Sequence, residues 1–267
     1  MLNDCSMTQV AAGIAGCLGI EPPVDAERAY PLVGDLMRAR GVERVERALL
    51  FCPDAVALWL YQRYTSWYAP VLAEAPVALP VRTMLPSVTP VCFGTMFTGV
   101  TPYVHGIECY DKHILAQDSL FDALVRAGKR VALVAVADSS FDILFSDRAI
   151  DRFILPYDGD VNAKARVLIE ADEHDVVVVY NQEFDDVMHA TYPESKRALE
   201  ALEHHIAAFG ELAGLARTAW AHHDRMVAWL PDHGVHIADN GHGQHGSDRE
   251  DDLNTLHFYG FAPAARA

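Results

Sequence analysis

Four short, almost uninterrupted apolar runs constrain this chain most: Arg47–Cys52 (RALLFC), Arg130–Ala137 (RVALVAVA), Asp175–Tyr180 (DVVVVY) and Arg225–Leu230 (RMVAWL). A strand with one wet face alternates apolar and polar residues. These runs do not alternate, so both of their faces must be covered, as in a parallel sheet held between two helical layers. The intervening segments supply the helices: Thr8–Leu18, Pro31–Arg40 ending near Gly41, Ala55–Tyr64, a helix from Ser119 closed by Gly128, Asn162–Ala171, and a long helix from Pro193 to about Thr218. Further strands are expected at Val77–Met84 and Leu256–Phe261. The expected fold class is α/β, a mostly parallel central sheet with helices on both faces. It forms one domain over residues 1–267, with residues 1–45 as a helical segment packed on it or joining a homodimer interface.

Composition narrows the partners. The formal net charge is −16 and no basic run occurs, which argues against nucleic acid, a polyanion read through basic faces. An acidic chain still acts on anionic small molecules where metal cations dominate the local field. The cysteines (Cys5, Cys17, Cys52, Cys92 and Cys109) are odd in number and lack a CxxC pair, against both a disulfide framework and a cysteine zinc site. The first residues carry Asp4 where a signal peptide wants a cation, and no run approaches the roughly 20 apolar residues of a membrane helix. A cytoplasmic location without a membrane partner is expected.

The polar residues beyond the strands carry the chemistry. Asp54 follows the first run, Asp185 and His189 the third, and Asp232 and His233 the fourth. Ligands of an α/β sheet bind beyond the carboxyl ends of its strands, and carboxylates with imidazoles suit Zn²⁺, or Mn²⁺. Each residue also has a plainer reading. Asp54 suits a helix N-cap. The Asp185/His189 spacing places both on one face of a helix, a common arrangement on solvated helices. Asp232-His233-Gly234 would serve as a turn. The segment Leu85–Ile107 holds the hydroxyls Ser87, Thr89, Thr95, Thr98 and Thr101 among glycines. A hydroxyl at a helix start is a cap, or, beside a metal, a nucleophile toward phosphorus at an end of the helix that favours anions.

In order, these segments resemble the nucleotide pyrophosphatase/phosphodiesterase branch of the alkaline phosphatase superfamily. Thr89 is followed by Thr98-Gly99 and by Pro102-Tyr103-Val104-His105-Gly106. Then come Glu183-Phe184-Asp185 with His189, Asp232-His233-Gly234, and His245-Gly246-Ser247-Asp248, all preceded by Asp54. The resemblance runs from about Leu49 to Pro263. It implies an alkaline phosphatase-like fold with a minimal cap and two divalent metal ions, zinc or manganese. One ion would lie on Asp185, His189 and His245, the other on Asp54, Asp232 and His233. Thr89 would be the nucleophile of a phosphate-ester hydrolase that passes through a phospho-threonine. Phosphonate hydrolysis, phosphomutase activity and a catalytically idle metal-binding protein are the alternatives.

The departures from the family pattern fall around the metal ligands. Cys92 stands where the diesterases carry the Asn that holds a phosphoryl oxygen, Ala55 follows the first Asp in place of Gly, and Met188 replaces the Gly before His189. The substrate would be a small phosphate ester met at Cys92 and, through its charge, at Lys112, although a solvated lysine is the plainer reading. Ser87 is the alternative nucleophile. The sulfatase motif Cys-x-Pro-x-Arg is absent.

Overall fold

The structure, a computed structural model, describes residues 1–265. Along the chain come β1 (Cys5–Ser6), α1 (Val10–Leu18), α2 (Pro31–Ala39), β2 (Arg47–Pro53), α3 (Leu58–Arg63), α4 (Ala69–Glu74) and β3 (Val77–Arg82). Next are α5 (Thr89–Thr98), α6 (Pro102–His105), α7 (Leu120–Arg126), β4 (Val131–Val136), α8 (Ser140–Leu144), β5 (Asp151–Leu155), α9 (Asp158–Ala171) and β6 (Val176–Asn181). The chain closes with α10 (Glu183–Ala190), α11 (Lys196–Ala219), β7 (Arg225–Trp229), β8 (His236–Ile237), β9 (Gly243–Gln244), α12 (Glu250–Leu253) and β10 (Asn254–Ala262).

Eight strands form one sheet in the order β1-β3-β10-β7-β2-β6-β4-β5, and β8 pairs with β9 separately. The sheet is mostly parallel: β10 runs antiparallel to both neighbours, and every other pairing is parallel. The central strands explain their own sequences. In β2, Ala48, Leu50 and Cys52 enter one core while Leu49 and Phe51 enter the other. In β6, Val176, Val178 and Tyr180 face the first core and Val177 and Val179 the second. The first core is closed by α1, α2, α5, α7 and α8, and the second by α3, α4, α9, α10 and α11. Burial on both faces is the reason neither strand alternates.

Two departures from the sequence expectations have local causes. Two edge strands lacked a signal: β1 is two residues long, and β5 reads DRFIL, half polar and only partly buried. The helix expected from Ala55 starts at Leu58, because Ala55 takes a left-handed φ of 65° and its amide donates to Asp232 Oδ1 at 3.1 Å. Among the described residues no helix is long and apolar enough to cross a membrane.

Candidate metal centre and active site

At the carboxyl ends of β2, β6 and β7 the chain turns sharply, and those turns hold the polar residues. Asp54 follows β2 directly, and its amide donates to Asn181 O, 2.9 Å away at the end of β6. Tyr180 donates its hydroxyl to Asp54 Oδ2. Asp54 is not a helix cap, since α3 begins at Leu58 with Ala57 at its N-cap. The turn Asp232-His233-Gly234 follows β7, and a Cβ at Gly234 would collide with the Asp251 carbonyl oxygen, so only glycine fits there. Asp185 and His189 lie one turn apart on α10, their Oδ1 and Nε2 atoms 3.4 Å apart. His245 follows β9.

These residues gather into two clusters, Asp185/His189/His245 and Asp54/Asp232/His233, whose candidate ligand atoms lie within 4.8 Å of one another in each set. The clusters adjoin, with the His233 and His245 rings stacked at 4.1 Å between centroids. The hydrogen bonds fix the tautomers. His189, His233 and His245 each donate Nδ1–H to a backbone carbonyl, of Gly243 (3.1 Å), Gly234 (3.1 Å) and Ser87 (2.8 Å). All three Nε2 atoms are therefore left as lone pairs pointing into the clusters.

The donor set fits divalent cations. Asp185 Oδ1 and Asp232 Oδ2 are buried without a hydrogen-bond partner. No Lys or Arg pairs with Asp54, Asp185 or Asp232 among the described residues; the ion-pair contacts of all three are to histidines. Burial, then the neighbouring carboxylates, pushes Asp54 and Asp185 far above the ordinary range, and burial takes Asp232 to about 7. Burial and the adjacent histidines lower His245 to about 4 and hold His233 well below its ordinary value. A cavity of unpaired carboxylates and neutral imidazoles is costly alone and suits a hard or borderline dication.

Thr89 opens α5. Its Oγ1 lies 3.4 Å from Asp54 Oδ2 and 3.4 Å from His233 Nε2. It shares a polar cleft of about 100 Å³ with Lys112, Tyr110, Ser139, Ser140, Gln182 and Asp186. Lys112 is thus at the cleft, its Nζ donating to Asp138 O at 3.0 Å. Cys92, expected to touch substrate, does not: it is fully buried in the first core, with Thr83 donating to its Sγ at 3.0 Å. One turn beyond Thr89, its side chain faces the sheet and not the cleft. Ser87 is also fully buried, and its Oγ accepts from the Gly246 amide while its carbonyl holds His245. That makes it a support for His245 and removes it as the alternative nucleophile. Sequence reasoning missed Tyr180; its one signal was a hydroxyl ending a valine run.

Neither protein-family models nor curated proteins match the sequence. Solved structures do match its fold. Phosphonoacetate hydrolase from Sinorhizobium meliloti superimposes with a TM-score of 0.54 at 19% identity, over 73% of this chain and 59% of that one. Murine ectonucleotide pyrophosphatase/phosphodiesterase 5 gives 0.57 at 18%, over 72% and 58%. A 2-O GAG sulfatase gives 0.57 at 10%, over 82% and 64%. The fold is alkaline phosphatase-like. This chain spans about 58–64% of the length of those superfamily structures.

Proposed function

We propose that this chain is a two-metal hydrolase of phosphate esters with Thr89 as its nucleophile. The observation that carries the reading is the place of Thr89 Oγ1, 3.4 Å from both Asp54 Oδ2 and His233 Nε2 and beside two clusters of unpaired ligand atoms. Asp185, His189 and His245 would hold one ion and Asp54, Asp232 and His233 the other, with zinc favoured by the imidazole share and manganese as the alternative. Bound there, the ions would neutralise phosphoryl charge and lower the pKa of the Thr89 hydroxyl.

The chain's own residues supply position. Thr89 Oγ1 lies against Asp54 and His233 Nε2, the same groups that would hold an ion, so its hydroxyl stands beside the place where the charge that eases its deprotonation would sit. Its place at the start of a ten-residue helix sets the first amides of α5 beside an incoming anion. The Thr89 oxygen bonds to phosphorus as the ester oxygen departs into the cleft. Water then attacks phosphorus, releasing phosphate and restoring Thr89.

The cleft favours a second reading on the same machinery. It is small and almost wholly polar, unlike the larger apolar pockets that hold drug-sized ligands, and among the described residues Lys112 is the one cation lining it. A small phosphonate carrying a carboxylate would suit it, with Lys112 on the carboxylate; phosphonoacetate hydrolase is among the fold neighbours. The test is metal-stripped protein with Zn²⁺ or Mn²⁺ restored, assayed on p-nitrophenyl phosphate, bis-p-nitrophenyl phosphate and phosphonoacetate. Metal-restored turnover of an ester supports the first reading, and turnover of phosphonoacetate alone the second. No turnover of any of the three, with both ions bound, argues for an idle relative.

A further inference from the structure

The helix that carries Asp185 and His189 has no cap of its own. Gln182 occupies its N-cap position, but its side chain accepts from none of the helix amides; its Nε2 donates to Asp186 Oδ2 at 3.1 Å instead. Its first amides are satisfied from two other helices instead. Asp158, at the start of α9, accepts from Gln182 N at 3.0 Å through Oδ1 and from Glu183 N at 2.9 Å through Oδ2. His205, in the middle of α11, accepts from Phe184 N at 3.1 Å through Nε2. Its Nδ1 faces Asp158 Oδ2 at 3.8 Å. Both side chains are buried, Asp158 at 5% exposure and His205 at 1%. Three consecutive amides are thus closed by two residues distant in sequence, neither of which touches the cleft.

The next residue is the ligand. Asp185 Oδ1 is buried with no hydrogen bond, so only the backbone of α10 fixes where it points. The far end of α10 is held separately, by His189 Nδ1 on Gly243 O and by Met188 packed so closely on Gly243 that no Cβ would fit there. An uncapped buried helix start leaves amides unpaired, at a cost that drives the first turn to shift.

We propose that Asp158 and His205 are positioning residues for the metal site of Asp185, His189 and His245, capping α10 from outside so that the Asp185 carboxylate meets the two imidazoles. This rests on the reading of that cluster as a metal site. Outer supports of this kind are worth about 10–100-fold in metal affinity. The site of Asp54, Asp232 and His233 is built on other strands and is independent of the cap.

The experiment is a Zn²⁺ titration of the metal-stripped protein against a chelating indicator, resolving two affinities. Asp158→Ala and His205→Ala are each expected to weaken one affinity about 10–100-fold and leave the other unchanged. Asp158→Asn, which keeps one acceptor, should fall between Asp158→Ala and the native chain, and covers the case in which Asp158→Ala fails to fold. In a His245→Ala background, which already lacks the site, Asp158→Asn should not change the remaining affinity. Arg47→Ala is the stability control, since it breaks ion pairs to Asp172 and Asp175 at the opposite end of the sheet. Equal losses of affinity in Arg47→Ala and Asp158→Asn, or two unchanged affinities in the Asp158 and His205 variants, overturn the proposal. A native chain that binds no zinc overturns the metal site itself and the proposal with it.

Discussion

His189 and His245 meet through their Nε2 atoms at 3.0 Å, each with its Nδ1–H already given to a backbone carbonyl. Two imidazole lone pairs do not attract one another, so the contact is favourable only with a cation between them. Removing one ring therefore tests the centre directly. His245→Ala should reduce zinc from two ions to one per chain by elemental analysis. It should weaken the remaining half-site at least as much as loss of an outer support, about 10–100-fold. Excess zinc should raise the Tm of the native chain more than that of the variant, because binding to the folded state stabilises by mass action. Two ions in the variant would remove His245 from the ligand set.

Thr89→Ala should keep both ions and lose turnover by about 10³-fold or more, since loss of an attacking residue leaves only what binding and electrostatics supply. Thr89→Ser, which restores a hydroxyl at the same place, should recover part of the rate. Metal content measured beside kcat separates a lost nucleophile from a lost site. Full rates in Thr89→Ala would place the nucleophile elsewhere.

How much of this was readable in advance follows from burial. β2, β4, β6 and β7 were legible because both of their faces are packed, which forces an unbroken apolar run. β5 was not, because an edge strand needs no such run, and the reversal of β10 leaves no trace in composition. Five of the candidate ligands, Asp54, Asp185, His189, Asp232 and His233, were legible as polar residues past buried strands, while His245 was legible only through the family resemblance. What supports them was not. Asp158, His205 and Tyr180 act through contacts at separations of 24, 21 and 126 residues, which no local pattern records. Cys92 was misread because counting from Thr89 gives a position along α5 but not the face it occupies. Ala55 shows why Gly is usual after the first Asp, since it holds a left-handed φ of 65° that glycine adopts freely.

Tyr180→Phe removes the hydroxyl that Asp54 accepts. That hydrogen bond lowers the pKa of a carboxylate that burial has raised, so losing it leaves Asp54 harder to ionise. Metal binding requires the ionised ligand, so the pH at which the second zinc binds half-maximally should rise in the variant. Zinc titrations at a series of pH values read this shift. An unchanged pH dependence would reduce Tyr180 to packing.

His105 gives a pH dependence of stability away from the metal ligands. It is buried behind Gly94, accepts from Ile107 N through Nδ1 at 3.3 Å, and donates Nε2–H to Thr95 Oγ1 at 3.0 Å. That network uses the neutral ring, and burial lowers its pKa from 6.5 to about 4. Above pH 6.5 neither folded nor unfolded chain protonates it, and its contribution is complete. As the pH falls from 6.5 toward 4 the unfolded chain takes up a proton that the folded chain refuses, so stability is lost at up to about 1.4 kcal/mol per pH unit. Below about 4 both states are protonated and the loss levels off. Urea unfolding of the native chain and of His105→Gln at about pH 7, 6, 5 and 4 isolates this contribution. The stability advantage of the native chain should shrink steadily as the pH falls, because glutamine has no proton to gain. A difference constant across that range would mean that the folded ring takes up its proton at the same pH as the unfolded one, and the hydrogen bonds to Ile107 and Thr95 would have to be reassigned.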